Sequence, residues 1–138
     1  MSLKLLKRTT GRGYGTAVSG LLRLNTPASI DAKVAVATTI FTVPAGSTMV
    51  ITGVRLRCTA AVAITVAAEA GVGIAAGFDD IWASQPLYGL TASGKVFEFP
   101  LGGSGVIATA GDEVKLGIDV AATGTSQTVE ADVMGYEV

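Results

Sequence analysis

Few residues in this 138-residue chain have side chains suited to catalysis. Histidine is absent and Cys58 is the only cysteine. This removes Ser-His-Asp and Cys-His nucleophilic pairs, zinc sites built from His or several Cys, and the commonest near-neutral general base. With one cysteine no intrachain disulfide can staple the fold for an oxidising compartment. Cys58 falls on the inward phase of an expected strand and reads as a small buried apolar residue. Carboxylates remain. Glu98 with Asp112 or Glu113 would suit a glycosidase only at a defined separation across a cleft. These acids alternate outward on expected strands, where a solvated role is the simpler expectation. No catalytic residue, metal ligand set or cofactor is expected.

The densest cluster of chemically distinctive side chains is GFDDIWASQPLYGL, residues 77–90, which holds the only tryptophan, two adjacent aspartates, a proline and a tyrosine. Calcium would need six to eight oxygens, and two adjacent acids without a spaced Asp/Asn loop supply too few. A sugar-binding or partner-binding surface and a structural plug are the other readings. The plug is the expectation: Asp79 and Asp80 cap a single helical turn over residues 81–84, and Pro86 ends it. Phe78, Ile81, Trp82 and Leu87 then fold back over the end of the domain, with Tyr88 at a subunit boundary. Trp82 and Tyr88 are the candidate partner-binding residues of this loop.

Charge is uneven although the total is only -1. Residues 1–30 carry Lys4, Lys7, Arg8, Arg12 and Arg23 with no acid, which leaves five bases against all 11 acids in the remainder. A basic N-terminal arm over residues 1–30 followed by an acidic domain over residues 31–138 is the expected organisation. Such an arm can order along a neighbouring copy or an acidic partner surface, with Lys4, Lys7, Arg8, Arg12 and Tyr14 as its candidate partner-binding residues. Nucleic acid is not expected as a partner, because the arm has few aromatics for base stacking and no binding module follows it. GRGYG at 11–15 lacks the Gly-Lys-Ser/Thr ending of a P-loop and the third glycine of a dinucleotide site, so it reads as a flexible tether. The apolar run of MSLKLLKRTT is too short for a signal-peptide core, and no stretch approaches the roughly 20 apolar residues of a membrane span. Synthesis and assembly in a cytoplasm follow as the expectation.

The elements that must position these residues are strands. Residues 33–43 are rich in Val, Thr and Ile and end in the turn PAGS at 44–47. Val50, Thr52, Val54, Leu56 and Cys58 then form one apolar face, with Arg55 and Arg57 on the other. Residues 61–68 read as a continuation or a hairpin mate. Phe97, Phe99 and Leu101 alternate inward against Glu98, and a Gly-rich break at 102–105 precedes a short strand over 106–108. Val114, Leu116, Ile118 and Val120 face in, with Glu113, Lys115 and Asp119 out. Val129, Ala131 and Val133 face in, Glu130 and Asp132 face out, and Gly135 marks a bulge before Tyr136. Seven or eight short strands with few helical patterns predict an all-β, jelly-roll-like antiparallel β-sandwich. VPAGSTMVITGVRL at 43–56 and ATAGDEVKLGIDV at 108–120 both lead from an Ala-Gly turn into a long strand, as corresponding strands of two packed sheets would. Charged residues are only 15% of the chain and its mean hydropathy is positive, so surface hidden in an assembly is expected.

FTVPAGS, GFDDIWAS with LYGLTASGKVFEFPL, and ATAGDEVKLGIDV together resemble small structural proteins of tailed bacteriophages, in particular jelly-roll decoration (cement) proteins of the capsid and related fibre-base modules. The likeness spans residues 35–138 and leaves the arm outside. It implies a homotrimer on the surface of the virion capsid that binds the major capsid protein and stabilises the shell, with no catalytic residue. The alternative is a receptor- or carbohydrate-binding module of a head or tail fibre.

Overall fold

A computed structural model describes residues 22–100 and 105–138. Ten strands carry the described chain: β1 (Leu22–Arg23), β2 (Ser29–Asp31), β3 (Ala37–Thr42), β4 (Thr48–Val62), β5 (Glu69–Gly73), β6 (Trp82–Pro86), β7 (Val96–Pro100), β8 (Val106–Thr109), β9 (Glu113–Val120) and β10 (Ser126–Glu137). Each strand begins or ends where the local chemistry demands. The PAGS turn closes with Ser47 N–H donating to the Pro44 carbonyl, and Gly46 takes the left-handed φ of 80° that a side chain would resist. Gly111, at φ 88°, does the same before β9. The two turns also hydrogen-bond to each other through Val43 and the pair Gly111 and Asp112. The resemblance between the two turn-and-strand segments therefore has a physical counterpart: β4 and β9 start side by side in opposite sheets.

All strand pairings are antiparallel. One sheet has β10 and β4 at its centre, flanked by β1 and β2 on one side and β7 and β8 on the other; the second runs β3-β9-β5-β6. With β1 and β2 sharing one position and β7 and β8 another, the two four-position sheets and their crossing connections make a jelly roll. The core lies between them. Ile51, Val54, Leu56, Phe99, Val129 and Val133 of the first sheet face Val72, Val114, Leu116 and Ile118 of the second. The core's few large rings meet in contact, Trp82 to Phe99 at 5.9 Å and Phe97 to Phe99 edge-on at 5.0 Å.

Several expectations need correction. No helical turn forms over residues 81–84; Trp82–Pro86 is an edge strand paired with β5, and Pro86 sits opposite Glu69 within it. An edge position tolerates the proline's missing N–H. Residues 69–73 form β5, which the glycine-interrupted sequence EAGVG concealed. Val120 is exposed at the end of β9, and Ile51 is buried beside Val50 because the pairing with β10 shifts register between Met134 and Gly135. The extra residue is Thr52, so the bulge expected at Gly135 of β10 lies instead on the facing strand β4. Strands β1 and β2 pair with β10, so Leu22–Arg23 and Ser29–Asp31 belong to the first sheet although charge assigned residues up to 30 to the arm. Lys4, Lys7, Arg8, Arg12 and Tyr14 lie outside the described residues.

Candidate functional site

The loop over residues 74–81 is built to lie on a sheet. Gly71 pairs with Gly117 across β5 and β9, and Val72 beside them points into the core, so these glycines and Gly73 face outward. Their missing side chains leave room for the loop. A Cβ at Gly73 would stand 2.6 Å from the Phe78 carbonyl carbon, and one at Gly117 would stand 3.2 Å from Phe78 Cβ. Phe78 accepts a φ of 52°, and Lys115 Nζ sits 4.7 Å from its ring centroid. Asp80 Oδ1 accepts from the backbone N–H groups of Ile74 (2.9 Å) and Ala75 (3.0 Å), reaching backward to close the loop instead of capping a helix ahead of it. Trp82 then turns inward and is 8% exposed. The tryptophan is part of the core, and the loop as a whole is a cover over the second sheet.

A charged row crosses the outer face of the first sheet. Asp132 points outward, as the alternation of β10 requires, yet it is 1% exposed because three guanidinium groups close over it. Arg55 Nη2 donates to its Oδ2 at 3.1 Å, while Arg23 Nη1 and Arg57 Nη2 lie 3.6 and 3.7 Å from its Oδ1. Arg57 also donates to Glu130 at 2.8 Å, and Arg55 stands opposite Glu98 in register on β7. Two basic residues on β4 are thus held by the acids of β10. Glu98 belongs to this row, whereas Asp112 closes the turn into β9 by accepting from Thr109 N–H and Glu113 sits 3.5 Å from Lys115. Of the carboxylates weighed as a glycosidase pair, Asp112 and Glu113 are thus engaged by neighbouring side chains or backbone, and Glu98 is exposed. Cys58 is buried, and desolvation pushes its thiol above the usual range, a shift opposed in part by a backbone hydrogen bond with Ala60. Among the described residues no group of three or more His, Cys, Asp or Glu could hold a metal ion, and no helix is long and apolar enough to cross a membrane. An open groove beside edge strand β3, lined by Leu24, Asn25, Thr26 and residues 39–42, contains no charged side chain.

The ends of the sandwich differ in chemistry. Loops 32–36, 63–68, 87–95 and 121–125 meet at one end, where their only charges are Lys33 and Lys95. Seven of the ten large apolar side chains left exposed among the described residues, including Tyr88 at 75%, belong to these loops or to the strand residues bordering them, so exposure there is clustered. We call this the valine end. Loops 43–47, 74–81 and 110–112 meet at the other end, the aspartate end, with Asp79, Asp80 and Asp112 as their only charges. The signal for the valine end was present in VAV at 34–36 and VAITVAA at 62–68. Only the topology, which brings four separate loops together, makes it a surface.

The fold has a known counterpart. A chain of the solved structure "Cyanophage Pam1 capsid asymmetric unit" superposes with a TM-score of 0.56 at 19% sequence identity, covering 98% of this chain and 96% of that one. No protein-family model and no curated protein matches the sequence. At that identity the likeness is one of fold.

Proposed function

We propose that this chain is a structural virion protein of a bacteriophage, which binds the outside of the capsid as a decoration protein and stabilises the shell. The end-to-end correspondence of its jelly roll with a chain of a phage capsid unit carries this reading. The described surfaces support it: polar side chains are spent on closing loops and clamping strands, and apolar side chains gather on a loop end suited to contact. Function must be argued from a site, and a contact surface is the site this molecule offers.

In this reading the protein is a homotrimer that contacts the major capsid protein, assembled in the host cytoplasm. The basic residues Lys4, Lys7, Arg8 and Arg12, with Tyr14, are the electrostatic part of docking. Leu22 pairs with Gly135, so the described chain starts near the aspartate end. The 21 residues before it span at most about 70 Å when extended, enough to reach a neighbouring copy or the shell. Ordering them costs about 1 to 2 kcal/mol per residue in backbone entropy, so apolar contacts must accompany the charges.

The test is reconstitution. Purified protein mixed with capsids of its phage assembled without it should bind at a fixed copy number, raise the temperature at which the shells open, and weaken in binding as salt rises. Absence of saturable binding would overturn the decoration reading. Light scattering should find a trimer, and a stable monomer at micromolar concentration would remove burial between subunits. Deleting residues 1–15 should leave a folded domain that decorates poorly.

A second reading rests on Tyr88. An aromatic side chain exposed on a loop at the end of a jelly roll suits a sugar ring, as a receptor- or carbohydrate-binding fibre module would require. Glycan binding lost in Tyr88→Ala, with few copies per virion, would favour that module.

A further inference from the structure

Resting on the homotrimer of the reading above, we propose that the open edge of β3 is a docking site for an extended strand, and that this strand is residues 13–21 of a neighbouring copy. Among the described residues β3 differs from the other sheet edges. The position of β1 and β2 is split around Pro27, β7 ends in Pro100 and shares its position with β8, and β6 ends in Pro86. Short, split or proline-bearing strands keep an edge from pairing. β3 runs for six residues, ATTIFT, with neither a proline nor a charge, and its pairing with β9 slips only at Ile40.

Ile118 N–H donates to the Val36 carbonyl and Val43 N–H to the Asp112 carbonyl, so alternation turns the backbone groups of Ala37, Thr39 and Thr42 away from β9 to the open side. There they border a groove of about 350 Å³ whose far wall is Leu24, Asn25 and Thr26. Asn25 fixes that wall by donating to the Ala131 carbonyl at 2.8 Å and accepting from Val133 N–H at 2.9 Å. An inner pocket of about 40 Å³ shares Asn25, Thr26, Thr39 and Ile40 with the groove and reaches Ala28, Ile30, Thr38 and Ala131. One water needs about 10 to 15 Å³, so the pocket has room for a small apolar side chain. Open main-chain groups beside a side-chain pocket are what an added strand requires.

The site asks for an uncharged occupant. No charged side chain lines the groove or the pocket, and the charges bordering them in sequence or across β9 are engaged within the domain. Arg23 pairs with Asp132, Arg57 with Glu130 and Lys115 with Glu113, while Asp31 and Asp112 accept from the backbone N–H groups of Lys33 and Thr109. The segment 13–21, GYGTAVSGL, lies between Arg12 and Arg23 and is uncharged throughout, with Val18 sized for the pocket. It also starts from the right place. The described chain begins at Leu22, and Leu24 is already part of the groove wall. β1 and β3 run in opposite directions, so a segment entering its own groove would have to reverse at once beside Leu22. A neighbour's groove needs no reversal, and nine residues reach up to about 30 Å, the width of a small domain. Each groove taking the segment of the next copy is a head-to-tail contact that closes into a ring, as a trimer requires. Another copy's β3 fits poorly, because each β3 stands behind its own wall of Leu24, Asn25 and Thr26. Lys4, Lys7, Arg8 and Arg12 remain beyond the paired segment for contact with the shell.

The test uses the full chain. Thr26→Cys on the groove wall is combined in turn with Ala17→Cys, Val18→Cys and Ser19→Cys, and in a control series Ile107→Cys, exposed on β8, takes the place of Thr26→Cys. After oxidation and denaturation at least one groove pair should run as two or three cross-linked chains, at a yield at least tenfold above the control series. Sedimentation should find a wild-type trimer and at least tenfold weaker association in Val18→Lys and in Thr42→Lys. Hydrogen exchange should show the Thr39 and Thr42 amides losing protection in Val18→Lys. If Thr42→Lys does not fold, Val18→Lys decides, since it lies outside the described domain. A wild-type monomer overturns the trimer and this assignment together. A trimer that forms no groove cross-links, or that both lysine variants leave unchanged, overturns this assignment alone. Cross-links confined to single chains give the groove to the chain's own segment and overturn the exchange between copies. Loss of shell binding in Thr42→Lys with the trimer intact gives the groove to a strand of the capsid protein and also overturns it.

Discussion

At the aspartate end, the 74–81 loop turns back and spends its polar and aromatic groups on its own sheet. Asp80 satisfies two backbone N–H groups, Phe78 lies against Gly117, and Trp82 enters the core. At the valine end the loops spend backbone hydrogen bonds on one another, bury Leu87 and Leu90, and leave Val34, Val36, Val66 and Tyr88 in water. The more conspicuous sequence belongs to the end that is internally satisfied. Unusual residue types mark where a fold needs special chemistry, whereas a contact surface can be made from ordinary valines that topology brings together.

The comparison is broken most directly at Trp82. Trp82→Ala should destabilise the domain by about 3 to 5 kcal/mol, through lost transfer energy and a cavity beside Phe99. Tyr88→Ala, at the exposed end, should change stability by no more than about 0.5 kcal/mol. Urea titrations of the two variants check both values. Equal effects would mean that the two ends do not divide into a satisfied and an unsatisfied surface.

A smaller effect is expected at the glycines beneath the cover. In Gly73→Ala the new Cβ meets Asp80 and the Phe78 backbone, so the loop must lift or the strand must shift. Overpacking of this kind costs about 1 to 3 kcal/mol. Hydrogen exchange should show the Ile74 and Ala75 amides losing protection, since both depend on Asp80. Loss of protection at Thr65 and Thr123 instead would mean that the two ends are coupled.

Cys58 tests the sheet between the ends. Its raised thiol pKa and burial predict a neutral, shielded side chain at neutral pH, where the thiolate is the reactive form. A thiol reagent should label the native protein at least tenfold more slowly than the denatured chain, at pH 7 to 8. Rapid native labelling would show that β4 opens locally.

How much of this was legible depended on whether alternation stayed clean. In β9 and β10 the residues Val114, Leu116, Val129 and Val133 mark the inner face directly, and the Ala-Gly turns locate the starts of β4 and β9. Strand β5 was hidden because its outward positions, Gly71 and Gly73, are empty for the sake of the loop above them, a requirement visible only in three dimensions. The adjacent aspartates suggested a helix cap because Asp is favoured at an N-terminus, but here the same acceptor chemistry serves N–H groups five and six residues earlier. Asp132 was assigned the correct side of its strand. Its burial depended on Arg23, Arg55 and Arg57 converging from two other strands. The valine end was the least legible, since four loops far apart in sequence contribute to it.

The smallest predicted effects are the most direct comparison of the two ends, because each end holds one non-glycine residue in the left-handed region: Ala63 at φ 53° and Phe78 at φ 52°. Glycine removes the steric cost of that conformation, about 1 to 2 kcal/mol, and adds back roughly 0.5 to 1 kcal/mol of unfolded-state entropy. Ala63 is exposed and loses only a methyl group, so Ala63→Gly should be neutral or stabilising by up to about 1 kcal/mol. Phe78→Gly gains the same backbone relief but gives up a half-buried ring and its contact with Lys115, so it should destabilise by about 1 to 2 kcal/mol. Opposite signs at matched backbone geometry, read from paired melting curves, would locate the difference in what each side chain touches. The same sign at both positions would mean that backbone strain dominates, and that the Phe78 ring contributes little to holding its loop against the sheet.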